Sequence, residues 1–168
     1  WTDGNDVAGI VAARARSGAR AWEVSHLFLR KDDDANLINL LATLSRRVAR
    51  RGGERVFIRL SSEDPLVELA RRCGFIPCGH ELLYRGRRKP APPREPVAVR
   101  KKTPADDHGV FRLYGASTPQ ETRLTSGMTF GQWAASRERT RGRSHEFVHE
   151  KDGEVRGWLK IIRRFGAG

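Results

Sequence analysis

The side chains that could do chemistry in this sequence are few. His26 stands in the run Ala21-Trp-Glu-Val-Ser-His-Leu-Phe-Leu29. An imidazole titrates near neutral pH, so His26 suits proton transfer. Three successive carboxylates follow, Asp32, Asp33 and Asp34; Asp34, just before a helical pattern, is a good N-cap. His145 and His149 have the spacing of a helical metal pair, but Glu146-Phe-Val-His-Glu150 reads as strand. They would share a sheet face with no Cys or carboxylate spacing to complete a site. Cys73 and Cys78 have no further Cys or nearby His pair to make a zinc pattern. No metal is expected, and idle reduced thiols fit a cytoplasmic protein. No Ser/His/Asp or Cys/His arrangement for nucleophilic catalysis stands out.

These groups must be positioned by a modest core. The chain has 168 residues, 38% of them hydrophobic, enough for one ordinary core. No window approaches a membrane span, and no charged region followed by an apolar one opens the chain as a secretion signal would. The net charge of +12 suits an anionic cofactor or nucleic acid. Much of it is local: Arg85, Arg87, Arg88, Lys89, Arg94, Arg100, Lys101 and Lys102 face Glu95 alone, among Pro90, Pro92, Pro93 and Pro96. Residues 87–96 read as a basic, extended linker. No aromatic interleaving supports base stacking, so nucleic acid is not the expected partner.

The positioning elements follow from periodicity. Val7 to Ala13 and Ala21 to Leu29 read as antiparallel strands joined near Ser17-Gly18. Leu37, Ile38, Leu40, Leu41, Leu44 and Val48 make one face of a helix from Ala35 to about Arg51. Arg46, Arg47, Arg50 and Arg51 crowd its end, where cations complement the helix dipole, and Gly52-Gly53 stops it. Val56 to Leu60 is a buried-type strand, Asp64-Pro65 opens a short helix ending at Cys73-Gly74-Phe75, and His80 to Tyr84 reads as a further strand. Beyond the linker come a strand at Val97–Val99, a helix opened by Thr103-Pro-Ala-Asp106 and ended by Ser117-Thr118-Pro119, and a helix from Met128 to Arg137. A hairpin of Glu146–Glu150 and Val155–Ile162 turns at Lys151-Asp152-Gly153.

Two turns echo each other. Asp3-Gly4-Asn5-Asp6-Val7-Ala8-Gly9 and Asp152-Gly153-Glu154-Val155-Arg156-Gly157 both lead from Asp-Gly into Val-x-Gly. They stand about one domain length apart. The reading is a tandem repeat in which both chain ends lie mid-fold, against the alternative of two unrelated hairpins.

The order strand, strand, helix, strand, helix ending Gly-Phe, strand resembles the C-terminal half of the GNAT N-acetyltransferase superfamily. The local matches are His26-Leu-Phe-Leu29 before the long helix and Leu69-Ala-Arg-Arg-Cys-Gly-Phe75. Residues 97–165 resemble the N-terminal half, through the strand–helix–helix start and the hairpin Phe147-Val-His-Glu-Lys-Asp-Gly-Glu-Val-Arg-Gly157. The expected fold is therefore α/β, an α+β mixed sheet of GNAT-like type with its elements in C-half then N-half order. Residues 1–86 form the cofactor-side half of one domain, 87–96 the linker, and 97–168 the N-terminal half of a second, in a tandem protein or a permuted domain.

The resemblance implies transfer of an acetyl group from acetyl-CoA to a small-molecule or peptide amine. Leu27, Phe28 and Leu29 fall where the family's strand offers backbone groups to the pantetheine. Glu23 falls where some members carry a general base, with His26 as a second candidate. Arg30 and the helix start at Ala35 and Asn36 fall beside the pyrophosphate, which helix N–H groups would bind. Two departures bear on activity. Asp32-Asp-Asp-Ala-Asn-Leu37 occupies the family's glycine-bearing phosphate loop without a glycine, so carboxylates meet a pyrophosphate. Ala70 falls where the family has a tyrosine acid. The alternatives to an acyltransferase are a non-catalytic module packing against its twin half or a second copy, and a basic nucleic-acid binder.

Overall fold

The computed structural model describes residues 2–3, 6–30, 34–84, 86, 97–140 and 142–163. The strands are β1 (Thr2–Asp3), β2 (Asp6–Val7), β3 (Gly9–Ala15), β4 (Ala21–Leu29), β5 (Arg55–Phe57), β6 (Arg100–Lys101), β7 (Arg143–Lys151) and β8 (Glu154–Arg163). The helices are α1 (Asp34–Arg50), α2 (Leu66–Arg72), α3 (Asp107–Ser117), α4 (Gln120–Ser126) and α5 (Phe130–Ser136). The architecture is mixed α/β, with three-stranded sheets ordered β3-β4-β5 and β6-β7-β8 and a small β1–β2 ribbon. Among the described residues no helix is long and apolar enough to cross a membrane.

The chain divides into two compact units. The first comprises Trp1–Pro77 together with Gly131–Arg139, and the second Cys78–Phe130 with Thr140–Gly168.

In the first unit β3 and β4 run antiparallel and β4 and β5 parallel. One sheet face lies under α1, because the helix repeats leucine at a period that matches its turn. Leu37, Leu41 and Leu69 form the core, against which Leu27, Leu29, Ile58 and Phe75 pack. Burying three leucines contributes roughly 5–8 kcal/mol before entropy is counted. The end of α1 is set by Gly52, whose φ of 76° lets the Gly52 N–H reach the Ala49 carbonyl and the Gly53 N–H the Val48 carbonyl.

The second unit is built on the β7–β8 hairpin. Asp152 (φ 55°) and Gly153 (φ 74°) form a two-residue turn closed by the Lys151–Glu154 pair. Both left-handed positions match the strand twist, as Asp-Gly predicts. Val148 is fully buried, α3 lies along β8, and Gly109 of α3 meets Val155 so closely that a Cβ would stand 2.7 Å from its methyl. Phe130 stacks on His108 and meets Phe111 edge-on.

Several expectations need correction. His80–Tyr84 is not a strand; Leu82, Leu83 and Tyr84 are strongly exposed, because no strand of the described residues pairs with them. β5 stops at Phe57 rather than Leu60, although Ile58 still packs into the core. The strand expected at Val97–Val99 is displaced to Arg100–Lys101, where the β7 backbone opposite Phe147 and Val148 accepts it. Asp34 is the first helical residue rather than the cap. The short helix α4 was not anticipated, since Gln120–Ser126 has little apolar periodicity. The linker at 87–96 and the loop residues Asp32 and Asp33 lie outside the described residues.

Candidate functional site

The site grows from a defect in strand pairing. β3 and β4 pair Ala12 with His26 and Ala13 with Val24, leaving Ser25 as an extra residue on β4. Such a bulge reverses side-chain alternation beyond it. Glu23 and His26 are three apart and would point to opposite faces of a regular strand. Their partners Arg14 and Ala12 are two apart on β3, so the bulge brings Glu23 and His26 onto one face, the face opposite Leu27 and Leu29.

Just there the sheet forks. The parallel ladder joins Ala21 to Arg55, Trp22 to Val56 and Glu23 to Phe57, then ends. β4 runs on to Leu29. Among the described residues, no strand pairs with its second edge from Val24 to Leu29. Backbone donors and acceptors along that edge are available to an extended ligand.

Glu23 is 5% exposed. Its Oε2 lies 3.4 Å from Arg14 Nη2, and its Oε1 lies 3.5 Å from Arg59 Nη1 and 3.9 Å from Arg16 Nη2. The Arg16 guanidinium stacks on Phe57, 4.1 Å from the ring centroid, and donates through Nη1 to the Ser136 carbonyl at 2.9 Å. Arg59 also pairs with Glu138. The turn after β3 is tied to the same segment: Ser17 N–H donates to the Arg137 carbonyl and Gly18 N–H to the Ala135 carbonyl. Glu23 is therefore a buried carboxylate in a cationic cage. A role as base requires one guanidinium to move aside.

His26 is exposed. Its Nδ1 lies 3.2 Å from Ser25 Oγ, which donates to the Ala12 carbonyl at 3.3 Å, and its ring stacks on Phe28. Phe28 is 61% exposed and opposes Ile10, itself 51% exposed. The site face thus has a charged half at Glu23 and an apolar half at Phe28, with His26 between them in sequence.

The remaining predicted residues border the fork. Leu27 and Leu29 are half-buried against α1, Arg30 donates its N–H to the Ala8 carbonyl at 3.0 Å, and Ala35 and Asn36 lie in the first turn of α1. N–H groups of a first turn have no intrahelical acceptor. Asp34 is exposed in that same turn. Among the described residues no cluster of His, Cys, Asp or Glu could hold a metal. His149 Nδ1 is instead engaged with the Ala98 carbonyl at 2.8 Å.

Sequence reasoning missed Arg14, Arg16 and Arg59. The strand read from the sequence stopped at Ala13, whereas β3 runs to Ala15 and carries Arg14, with Arg16 just past its end. Arg59 had no signal, since its approach depends on β5 lying beside β4. No family model, curated protein or solved structure matches the chain.

Proposed function

We propose that the first unit is the cofactor-side half of a GNAT-type fold and that its chemistry is transfer of an acetyl group from acetyl-CoA to an amine. The observation that carries this reading is the fork, where β4 parts from β5 after Glu23 and leaves its edge open to Leu29. A pantetheine arm carries amides that can pair with such an edge as a strand would. Leu27, Phe28 and Leu29 would hold it through backbone groups. His26, exposed on the adjoining face, would take the amine proton. Glu23 and its arginines would hold the fork's base in place.

The residues fit the two ends of the cofactor unequally. The N–H groups at Ala35 and Asn36 suit a pyrophosphate, with Arg30 nearby in sequence. Asp32, Asp33 and Asp34 oppose it, each like-charge contact costing about 1 kcal/mol at 4 Å in water and more where solvent is excluded. Weak binding is the expected result. Titration of the protein with acetyl-CoA should shift amide resonances from Val24 to Leu29, and D32G/D33G should tighten binding about tenfold. Unmoved resonances at millimolar acetyl-CoA would sink the reading.

A second reading has its own support. The cage around Glu23 has the character of a structural hub, and Ala70 offers no acid at the family's tyrosine position. On this reading the unit is a non-catalytic GNAT-like module that packs against a counterpart half. Binding of acetyl-CoA without transfer to any of a panel of amines would favour it.

A further inference from the structure

The bulge at Ser25 does more than turn His26 to the face of Glu23. Neighbouring side chains on a regular strand point to opposite faces. Ser25 is the extra residue between the pairs Ala13–Val24 and Ala12–His26, so it and His26 escape that alternation. Their side chains meet, with Ser25 Oγ 3.2 Å from His26 Nδ1. The same Oγ lies 3.3 Å from the Ala12 carbonyl oxygen.

Proton counting orders these contacts. A serine hydroxyl has one proton to donate and lone pairs with which to accept, and a carbonyl only accepts. For both contacts to be hydrogen bonds, the Ser25 proton must go to Ala12. Nδ1 then carries the proton that Ser25 accepts, and the neutral ring keeps its lone pair on Nε2. The reverse arrangement, with Ser25 donating to Nδ1, leaves two oxygens facing each other at 3.3 Å with no proton between them. It makes one hydrogen bond where the first makes two, and bonds in series strengthen each other. Phe28 stacks on the ring, 6.1 Å between centroids with the planes 22° apart. The ring is thus held on its face by Phe28 and on its Nδ1 side by Ser25.

We infer that Ser25 is a positioning residue: it fixes neutral His26 as the Nδ1–H tautomer and so presents a bare Nε2 to the acceptor amine. The consequence for transfer rests on the reading of His26 as the base. In that step an ammonium N–H bond breaks, its electron pair stays on the amine nitrogen, and the proton forms a new bond to Nε2. The resulting imidazolium still donates Nδ1–H to Ser25. No group in the relay from Ala12 through Ser25 to His26 has to turn as the proton moves.

The test is ring-nitrogen NMR of the full chain with isotope-labelled histidine at about pH 9, where an ordinary histidine is neutral. His26→Gln identifies the His26 signals. His149, whose Nδ1 faces the Ala98 carbonyl at 2.8 Å, is a built-in reference, since a carbonyl partner also demands Nδ1–H. His26 should show the pattern of His149, with Nε2 unprotonated. Ser25→Ala should move His26, and not His149, toward the Nε2–H form, and Ser25→Thr should keep Nδ1–H. Ser25 is exposed, so both variants should keep the wild-type circular dichroism. Acetyl transfer should fall about tenfold in Ser25→Ala and recover in Ser25→Thr. An Nε2–H ring in the wild-type chain, or a tautomer that Ser25→Ala leaves unchanged, overturns the inference. So does transfer undiminished in a variant whose tautomer has switched. The spectra need no acetyl-CoA, so a wild-type chain without transfer would sink the acetyl-transfer reading and leave the tautomer assignment standing.

Discussion

Among the described residues, Glu23 in the first unit and Asp106 in the second are carboxylates buried against guanidinium, and they are held differently. Asp106 takes Arg100 in a two-pronged bond at 2.7 and 2.8 Å and also accepts the Thr103 N–H at 2.7 Å and the Thr103 hydroxyl at 2.8 Å. Arg100 further pairs with Glu150 of β7 at 2.6 Å. Glu23 has three cationic neighbours, none closer than 3.4 Å. Short, saturated bonds make Asp106 a staple joining a helix start to a strand. Longer contacts shared among three cations leave Glu23 room to adjust, and it stands where two strands part. Asp106 thus ties neighbouring elements through saturated bonds, while Glu23 gathers three arginines at the point where β4 and β5 part.

The contrast can be broken most forcefully at Glu23. Glu23→Ala leaves three guanidiniums around a vacated, largely buried position and should cost about 2–3 kcal/mol, given the partial exposure of Arg14 and Arg59. Urea unfolding measures it, and a loss under 0.5 kcal/mol would mean that the cage stabilises nothing. His26→Ala sharpens the other side. It should leave stability within about 0.5 kcal/mol while lowering any acetyl transfer roughly a hundredfold or more. Equal transfer rates would remove His26 as the base.

Asp106 predicts a pH dependence. The bonds from Arg100, and next those from Thr103, hold its carboxyl well below the usual carboxylate range. The unfolded chain therefore takes up the proton first. The stability from this group is complete above about pH 4 and is lost as the pH falls below that. Asp106→Asn should flatten the acid limb of unfolding followed by far-ultraviolet circular dichroism; an unchanged limb would mean other carboxylates govern it. Smallest is Gly153→Ala, which forces an L-residue to a φ of 74° and should cost about 1 kcal/mol, read from the thermal midpoint.

Much of this was legible beforehand. The limits of β4 matched the run from Ala21 to Leu29, α1 began within a residue of its expected start, and the Asp152-Gly153 turn formed where it was expected. These are local features, written in short-range periodicity and in residues that tolerate positive φ. His80–Tyr84 failed because its apolar content says only that it would suit a sheet, and a strand exists only where another edge is free to receive it.

The sequence by itself determined the elements and the chemical groups: which runs become strands or helices, where turns fall, and that His26 and Glu23 lie on one strand. Only the tertiary structure decided how they meet. The bulge at Ser25 turned His26 and Glu23 to a common face, the end of the ladder at Glu23–Phe57 opened the edge of β4, and the approach of β3 and of the chain beyond β5 closed the arginines around Glu23. Backbone propensity is set by neighbours along the chain, whereas register, forks and ion-pair cages depend on which edges remain after every strand has competed for a partner.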